Sequence, residues 1–271
     1  MPGDQIRQAL VSALTFHASF DHGAQADFAR GDGQMYSAAN PSGQEALVLS
    51  PGLGDPPLAI VEGQGRFGAA LVFTQDNSHV VVYKAEHNVA YSAGSFQGTV
   101  SFWLRVEPAD IPGQYCDPLQ VTDKDYSDSC IWVDFTKNDT PSDFRLGVFG
   151  QQSVWDVTNR RGDGLEFYWR LAKVAEPPFA RDHWTHVVIT WDGINSTEGG
   201  RGRLYFNAEY RGSTGAVREP FTWDVAHAMI RLGTGHFVGM FDDIAFFDRA
   251  LTPEEVHVVY GLETGIAGLR R

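Results

Sequence analysis

Hydrophobic and polar residues alternate in short runs along most of this chain. In GTVSFWLRV (98–106), for example, Val100, Phe102 and Leu104 occupy every second position. A period of two is typical of a strand with one buried face. Turns rich in Gly, Asp, Asn and Pro separate the runs. The predicted strands are 14–20, 45–50, 58–63, 68–73, 79–86, 98–106, 130–135, 144–149, 165–171, 183–191, 202–210, 229–235 and 240–247.

Two segments instead carry a helical pattern. Residues 4–13 form a short amphipathic stretch. Residues 252–261 begin with Thr252, Pro253 and Glu255, which fit an N-cap, the first helical position and a capping box. Many strands with few helices predict an all-β fold, a two-sheet antiparallel β-sandwich or jelly roll with short terminal helices. No low-complexity linker divides the chain, so we expect a single domain over residues 1–271.

The longest irregular regions are 21–44, 107–128, 151–164 and 211–228, and long loops often carry function. Sugar binding needs exposed aromatic faces beside polar groups. Trp155, Tyr115, Tyr126 and Trp223 lie in or next to these regions, and Tyr115 and Tyr126 flank an acidic segment. We therefore predict that these four residues form a ligand-binding edge. For Trp155, packing inside the protein is an equally open alternative.

Charge narrows the choice of partner. The 271 residues carry a net charge of −13, with a pI near 5.0. Phosphate binding needs a basic face, so we expect no nucleic-acid partner. No apolar window is long enough to span a bilayer, so we expect no membrane insertion, and the N-terminus lacks the pattern of a signal peptide. An acidic surface suits a cation such as calcium, and it also simply keeps a protein soluble.

The only two cysteines, Cys116 and Cys130, lie 14 positions apart without a CxxC partner. This excludes the common zinc and redox motifs. A disulfide closing this loop would stabilise the fold by about 3 kcal/mol. A disulfide and two separate thiols are both open.

Several stretches together resemble one family, the LamG-like or concanavalin A-like lectin/glucanase domains of bacterial secreted proteins. The stretches are LTFHASFD (14–21), GRFGAALVF (65–73), GTVSFWLRV (98–106), HWTHVVITWDG (183–193), RLYFNAEYRG (203–212) and GMFDDIAFFDRALTPEEVHVVY (239–260). The resemblance runs from about residue 14 to 262. It implies a jelly-roll fold and an extracytoplasmic location, secreted or periplasmic. Fold alone does not give function, because such sandwiches host lectins, hydrolases, lyases and adhesion modules.

The closing stretch carries two adjacent carboxylates. If Ile244 and Phe246 face the core, strict alternation places Asp242 on that same face and Asp243 outward. In sandwiches of this type the first and last strands are neighbours, so Asp21 and Asp242 would converge on a structural Ca²⁺, with Asp27 and Asp32 as weaker loop candidates. The alternative is that Asp242 accepts backbone N–H bonds and caps a turn.

Catalysis has little support in the sequence. The resemblance implies a Glu-x-Asp-x-x-Glu strand in glucanases, and paired Arg-x-Glu and Gln-x-His strands in alginate-lyase-like members, and neither occurs here. Glu86 with His87, and Asp134, are isolated acid/base candidates, so we assign no catalytic residue. We predict an extracytoplasmic module that binds a glycan or cell-surface polymer and holds a structural calcium. The alternatives are a protein-binding adhesion scaffold, and a polysaccharide hydrolase or lyase with a non-standard carboxylate set.

Overall fold

A computed structural model describes residues 2–39, 47–54, 58–75, 79–111, 115–158 and 164–270 of the chain. Within these residues, seventeen strands form two antiparallel sheets. In chain order the strands are β1 (Leu14–Ala18), β2 (Phe28–Ala29), β3 (Tyr36–Ala39), β4 (Ser50–Pro51), β5 (Leu58–Val61), β6 (Ala70–Phe73), β7 (His79–Lys84), β8 (Phe96–Arg105), β9 (Cys116–Thr122), β10 (Cys130–Phe135), β11 (Phe144–Phe149), β12 (Leu171–Val174), β13 (Thr185–Ile194), β14 (Arg201–Phe206), β15 (Glu209–Ser213), β16 (Met229–Gly235) and β17 (Gly239–Phe247).

Each sheet contains strands from both the N-terminal and the C-terminal part of the chain. The nine-stranded sheet has the order β15-β14-β13-β8-β17-β1-β2, and β6 joins it beside β17 and carries β5 at its edge. The eight-stranded sheet has the order β12-β11-β10-β9-β16-β7-β3-β4. The first and last strands pair directly, with Ala18 opposite Ile244. The predicted two-sheet antiparallel sandwich, and the expected neighbourhood of its first and last strands, are therefore confirmed.

The main hydrophobic core lies between the sheets, and the alternating residues of the long strands build it. In β8, Val100, Phe102 and Leu104 are fully buried in this core. In β10, Ile131 and Val133 face the same core. Apolar burial of this kind contributes about 25 cal/mol per Å² and is the main driving force of the fold.

Short helices cover parts of the outer faces of both sheets. The helices are α1 (Pro2–Ala13), α2 (Gln152–Trp155), α3 (Leu165–Trp169) and α4 (Pro253–Tyr260), with short 3-10 helices at Pro108–Asp110 and Ile266–Leu269. Apolar side chains of α1, α4 and Ile266–Leu269 pack in one cluster against the nine-stranded sheet. Trp155 of α2 and Phe167 of α3 pack instead on the eight-stranded sheet. The predicted capping box at Thr252 and Glu255 is confirmed. Among the described residues, no helix has both the length and the apolar character needed to cross a bilayer.

Several segments differ from the sequence prediction. The regions 21–44 and 107–128, which were predicted to be irregular, contain β2, β3 and β9. The run 165–171 was predicted to be a strand, but it forms α3 and only then enters β12 at Leu171. Its continuous apolar and aromatic residues do not distinguish a helix from a strand. The predicted strand 45–50 falls partly outside the described residues, which resume at Leu47, and only Ser50–Pro51 is a strand.

The two cysteines are separate thiols. Cys116 contributes to the main core, whereas Cys130 packs in a different cluster with Trp132 and Phe149. The two side chains thus lie on opposite faces of the eight-stranded sheet, so they do not form the disulfide that the sequence left open.

Candidate functional site

A cavity of about 230 Å³ opens on the outer face of the eight-stranded sheet, over β9, β10 and β11. Alternation explains its position. Because Ile131 and Val133 of β10 face the core, Trp132 and Asp134 must point away from it. Arg145 lies directly opposite Asp134 across the β10–β11 pair, and directly opposed residues share a face. The aromatic lining residues are Tyr115, Tyr126, Trp132, Phe167 and Tyr168, and the charged ones are Asp117, Asp134 and Arg145.

A buried ion pair occupies the centre of the cavity. Arg145 donates through Nε to Asp134 Oδ1 at 2.8 Å and through Nη2 to Asp134 Oδ2. Such two-point pairs are among the strongest charge-assisted hydrogen bonds. The Arg145 guanidinium also lies 5.6 Å from the Trp132 ring centroid and 5.9 Å from that of Tyr115. Aromatic faces and a carboxylate therefore fix the cation in one orientation.

A second carboxyl group, that of Asp117, completes the polar set. Its Oδ2 accepts a hydrogen bond from Gln120 Nε2 at 2.9 Å. Burial, and next the negative charge of Asp134, raise the pKa of Asp117 well above its ordinary value of 3.8. Burial also raises the pKa of Asp134, but the hydrogen bonds and the charge of Arg145 oppose that rise, so of the two carboxyls Asp117 is the one that favours a proton. The cavity thus offers an acid that donates, a carboxylate that accepts and a guanidinium that donates.

Aromatic rings form the floor and rim. The Trp132 indole covers Gly147, where an added Cβ would lie 2.3 Å from the ring. It also stacks on Phe149 at 5.6 Å with an interplanar angle of 12°. Tyr115 and Tyr168 are 48% and 60% exposed, so their rings face solvent at the rim. Flat apolar faces beside fixed hydrogen-bonding groups suit a sugar ring, which has apolar C–H faces and a hydroxyl edge.

The predicted binding edge is divided by the structure. Tyr115 and Tyr126 lie at the cavity, and their role in binding stays a prediction. Trp155 and Trp223 are only 8% and 9% exposed, which fits the packing alternative left open for Trp155 and does not give Trp223 the exposed ring that sugar binding needs. Each indole nitrogen donates to a backbone carbonyl, Trp155 to Ser127 and Trp223 to Ser129. The segments that carry Trp155 and Trp223 fold back onto the protein, so both indoles pack in hydrophobic clusters.

Sequence reasoning missed most of the cavity. Asp117, Trp132 and Arg145 lie on different strands, and Asp134 was noted only as an isolated acid/base candidate. The available signal was a polar residue at an outward position of an apolar strand, as in CIWVDF and FRLGVF. Tyr168 was not considered as a lining residue, because residues 165–171 were predicted to form a strand.

A separate pair of carboxylates lies near the junction of β1 and β17. Asp21 Oδ1 accepts a hydrogen bond from the Ala69 N–H at 2.8 Å, and Asp242 Oδ2 accepts one from the Phe67 N–H at 2.9 Å. The two side chains therefore converge on one loop, residues 65–69. A Cβ on Gly68 would lie 2.1 Å from Asp21 Oδ1, so only glycine permits this close approach.

Asp242 is buried, but not by the predicted route. The β17–β8 pairing shifts register between Asp242 and Ala245, which is a β-bulge. Asp242 lies opposite Trp103, whereas Ile244 and Phe246 are in the main core. Strict alternation was therefore the wrong argument for its burial. Asp242 is 1% exposed, and its Oδ1 has no hydrogen-bond partner among the described residues.

The ionised form of the Asp242 side chain is energetically unfavourable in this environment. Burial, then the charges of Asp243 and Asp21, raise the pKa of Asp242 to about 7. Asp243 was expected to face outward, and this was wrong, because it is 4% exposed. It has a φ of 53° at the bulge, bonds His17 Nε2 at 2.7 Å and accepts from the Ile266 N–H. The C-terminal 3-10 helix therefore covers it.

The weaker metal candidates have other partners. Asp27 Oδ2 accepts from the Ser19 N–H at 2.6 Å. Asp32 accepts from the Tyr36 hydroxyl and pairs with Lys84 at 3.3 Å. Within the described parts of the chain, no three His, Cys, Asp or Glu side chains are grouped to hold a metal. A cation at Asp21 and Asp242 would therefore need backbone carbonyls or water as further ligands.

Comparison with known proteins identifies the family. The sequence profile of the concanavalin A-like lectin/glucanases superfamily matches residues 74–257, well over half of the chain. The chain therefore belongs to this superfamily. A search of characterised protein sequences gives no significant match.

Three solved structures share the fold. Domain 4 of AbnA, an extracellular GH43 arabinanase from Geobacillus stearothermophilus solved with arabinotriose, has a TM-score of 0.55 at 17% identity and covers 91% of this chain and 97% of that one. The binding domain of Paraclostridial Mosquitocidal Protein 1 has a TM-score of 0.51 at 14% identity, covering 93% and 52%. The botulinum neurotoxin serotype C1 binding domain has a TM-score of 0.51 at 11% identity, covering 94% and 52%. This chain thus spans about half of each toxin chain.

Proposed function

We propose that this protein is a glycan-binding module and that its site is the cavity over β9, β10 and β11. The observation that carries the proposal is the combination of half-exposed tyrosine rings with an oriented polar set, in which Asp134 and Arg145 are buried and Asp117 is half-buried. The rings provide stacking surfaces and the polar set provides directed hydrogen bonds to hydroxyls. The arabinotriose bound to the arabinanase domain, on the same fold, supports a saccharide as the ligand class.

A glycan array with wild-type protein and two tyrosine variants tests this proposal. Tyr168→Ala removes a ring that lines the cavity and is 60% exposed. We expect this variant to lose up to about tenfold in affinity for the bound glycan, since one stacked ring contributes on the order of 0.5–1.5 kcal/mol. Tyr210→Ala is the matched control, because Tyr210 is 57% exposed but lies on β15 of the other sheet. Equal losses in both variants would refute the cavity as the site.

A second candidate is cleavage of the polysaccharide. The specific observation is that two carboxyls, Asp117 and Asp134, line one cavity and that only Asp134 is hydrogen-bonded to Arg145. An acid and a base on one sugar are the minimum for glycoside hydrolysis. The test is release of reducing ends or unsaturated sugars from the polymer that binds best. The binding proposal expects none, and turnover abolished by Asp117→Asn would favour the enzyme instead.

We also propose that calcium binds between Asp21 and Asp242. Support comes from the buried Oδ1 of Asp242, which has no partner among the described residues, and from the convergence of both carboxylates on residues 65–69. Carboxylate and carbonyl oxygens are the ligands that calcium prefers. A bound cation would also neutralise the Asp242 carboxylate, whose charge is unfavourable because the side chain is buried.

Thermal unfolding after EDTA treatment tests the calcium proposal. Adding Ca²⁺ should raise the Tm of the wild type, because a ligand at a hundred times its Kd stabilises by about 2.7 kcal/mol. Asp242→Ala should be less stable than wild type in calcium and should not respond to the cation. Asp182→Ala, at an exposed position, is the control that keeps the response. A wild-type Tm that is indifferent to Ca²⁺ would remove calcium from the proposal.

We further propose that the module works outside the cytoplasm. The support is the resemblance to domains of secreted proteins, together with the extracellular arabinanase that shares the fold. Fractionation of the native host, with an antibody against this chain, gives the direct measurement. Recovery only with cytoplasmic markers would contradict it.

A further inference from the structure

A second cavity, of about 440 Å³, adjoins the first on the same face of the sheet. The two cavities share Tyr115, Arg145 and Tyr168 in their lining, so one ligand can extend from the first into the second. The second cavity adds two lysines, Lys137 and Lys173, and one carboxylate, Asp139. Together with Arg145, its lining holds three cations and one carboxylate.

The cations of the second cavity differ in how far they are already neutralised. Arg145 is paired with Asp134. Lys173 Nζ lies 2.5 Å from Asp143 and 3.7 Å from Asp139. Lys137 has no carboxylate within ion-pair distance among the described residues. Its Nζ instead lies 4.7 Å from the centroid of the Tyr115 ring. Lys137 is thus an unneutralised cation held beside an aromatic face that both cavities share.

The first cavity, unlike the second, offers an acidic ligand no free cation among its described lining residues. Asp117 and Asp134 line it, and Arg145 is already committed to Asp134. An anionic group on a ligand would find no unpaired cation in the described part of this lining, and burying a charge without a partner is unfavourable. A neutral sugar suits the first cavity, and an acidic group suits the second.

We propose that the ligand is an acidic glycan, at least two sugars long, with a neutral ring in the first cavity and an anionic substituent bound at Lys137 in the second. The proposal rests on the glycan-binding function proposed above and specifies its ligand class. The anionic group is a carboxylate of a uronic or sialic acid, or a sulfate ester. Both are recognised by the same ammonium chemistry.

Matched pairs of acidic and neutral glycans on an array separate these possibilities. The pairs are oligogalacturonates and their methyl esters, sialyllactose and lactose, and chondroitin sulfate and chondroitin stripped of sulfate. We expect wild-type protein to prefer the acidic member of at least one pair by about tenfold, which corresponds to about 1.4 kcal/mol. The first two pairs report on a carboxylate and the third on a sulfate. The preference should shrink as salt is raised from 50 to 500 mM, because exposed charges are screened.

Lysine variants assign the preference to one side chain. Lys137→Met keeps the aliphatic stem and should reduce binding of the acidic member to the level of its neutral counterpart. Lys137→Arg should retain the preference. Lys84→Met is the matched control, since Lys84 also lies over a tyrosine ring of this sheet, at 5.3 Å from Tyr36, but is paired with Asp32. It should bind as the wild type does.

The outcomes separate this inference from the function it rests on. Neutral glycans that bind as well as acidic ones, or an acidic preference that Lys137→Met leaves unchanged, would overturn the acidic ligand. If Tyr168→Ala still weakened glycan binding and Tyr210→Ala did not, the glycan-binding function would stand. Failure of every glycan to bind wild-type protein would overturn both.

Discussion

At the residue scale, one irregular backbone position decides the environment of two carboxylates. The bulge in β17 lets Asp242 and Asp243 both be buried, whereas regular alternation would expose one of them. Asp243 is satisfied by His17 and the Ile266 N–H. Asp242 keeps one oxygen without a partner among the described residues. Burial of an ionised carboxylate costs several kcal/mol unless it is compensated, so Asp242 should govern stability against pH.

We predict that stability in EDTA falls as pH rises through about 7. The pKa of Asp242 is about 7 in the folded state, against an ordinary 3.8. The folded state therefore holds a proton that the unfolded state has already lost between these pH values, and stability decreases with rising pH there. Urea unfolding at pH 5 and pH 8 should show a drop for the wild type that exceeds that of Asp242→Asn by a few kcal/mol at most. Parallel curves for the two proteins would contradict this.

Gly147 tests the cavity floor. Its missing Cβ leaves room for the Trp132 ring, so Gly147→Ala must displace the indole. We expect a loss of about 1–3 kcal/mol, as for other overpacked sites, and weaker glycan binding. Gly94→Ala is the control, because nothing lies within 4 Å of its added Cβ. Scanning calorimetry gives the measurement, and similar Tm values for both variants would show that the indole moves without cost.

At the element scale, local sequence signals define some elements and fail for others. α4 begins where Thr252, Pro253 and Glu255 require it, because the capping box fixes its N-terminus locally. α3 is a single turn over Leu165–Trp169. A helix this short gains little from intrinsic propensity, and burial of Phe167 in the cluster with Trp155 holds it in place. That contact is invisible in the sequence.

Loss of the α4 cap should destabilise the protein without changing the binding site. Thr252 Oγ1 accepts a hydrogen bond from the Glu255 N–H, and Glu255 Oε2 accepts one from the Thr252 N–H at 2.9 Å. Thr252→Ala should cost about 1 kcal/mol, whereas Thr252→Ser should cost little. Chemical denaturation measures both variants. Reduced glycan affinity in Thr252→Ala would contradict the separation of α4 from the cavity.

The cysteines should be reduced in the folded protein. Both Cys116 and Cys130 are fully buried, on opposite faces of the eight-stranded sheet. A thiol reagent should find almost no reactive thiol in the native state and two after unfolding. Reductant should leave the Tm unchanged. Fewer than two thiols in the unfolded protein would indicate a disulfide.

At the scale of the whole molecule, the two outer faces have different roles. The nine-stranded sheet is covered by α1, α4 and the C-terminal 3-10 helix, which bury a continuous apolar cluster. The eight-stranded sheet instead bears the two adjoining cavities. Such asymmetry suits a module that presents one face to a polymer and closes the other.

Hydrogen exchange with a saturating glycan tests this division. We expect slower exchange of backbone amides in β9, β10, β11 and α3, because these elements carry the lining residues. Exchange in β15 and α4 should not change. Protection concentrated in β13–β15 would move the binding face to the other sheet.

The sequence by itself determined the architecture and little of the site. Alternation in runs such as GTVSFWLRV reports a buried face directly, so it predicted a two-sheet antiparallel sandwich. The aromatic composition of the loops picked out Tyr115 and Tyr126, which lie at the cavity, but equally Trp155 and Trp223, which are buried. Loop residues carry no periodicity from which their burial can be inferred.

Only the tertiary structure decided which charged groups meet. Asp117, Asp134 and Arg145 come from three strands, and their contact depends on strand order and register, which no local pattern encodes. The bulge in β17 likewise broke the alternation that was used to orient Asp242 and Asp243. Hydrophobic periodicity describes a single strand, whereas the binding site is formed by side chains from several neighbouring strands. The strands could therefore be predicted from the sequence, whereas the grouping of Asp117, Asp134 and Arg145 could be recognised only from the pairing of the strands.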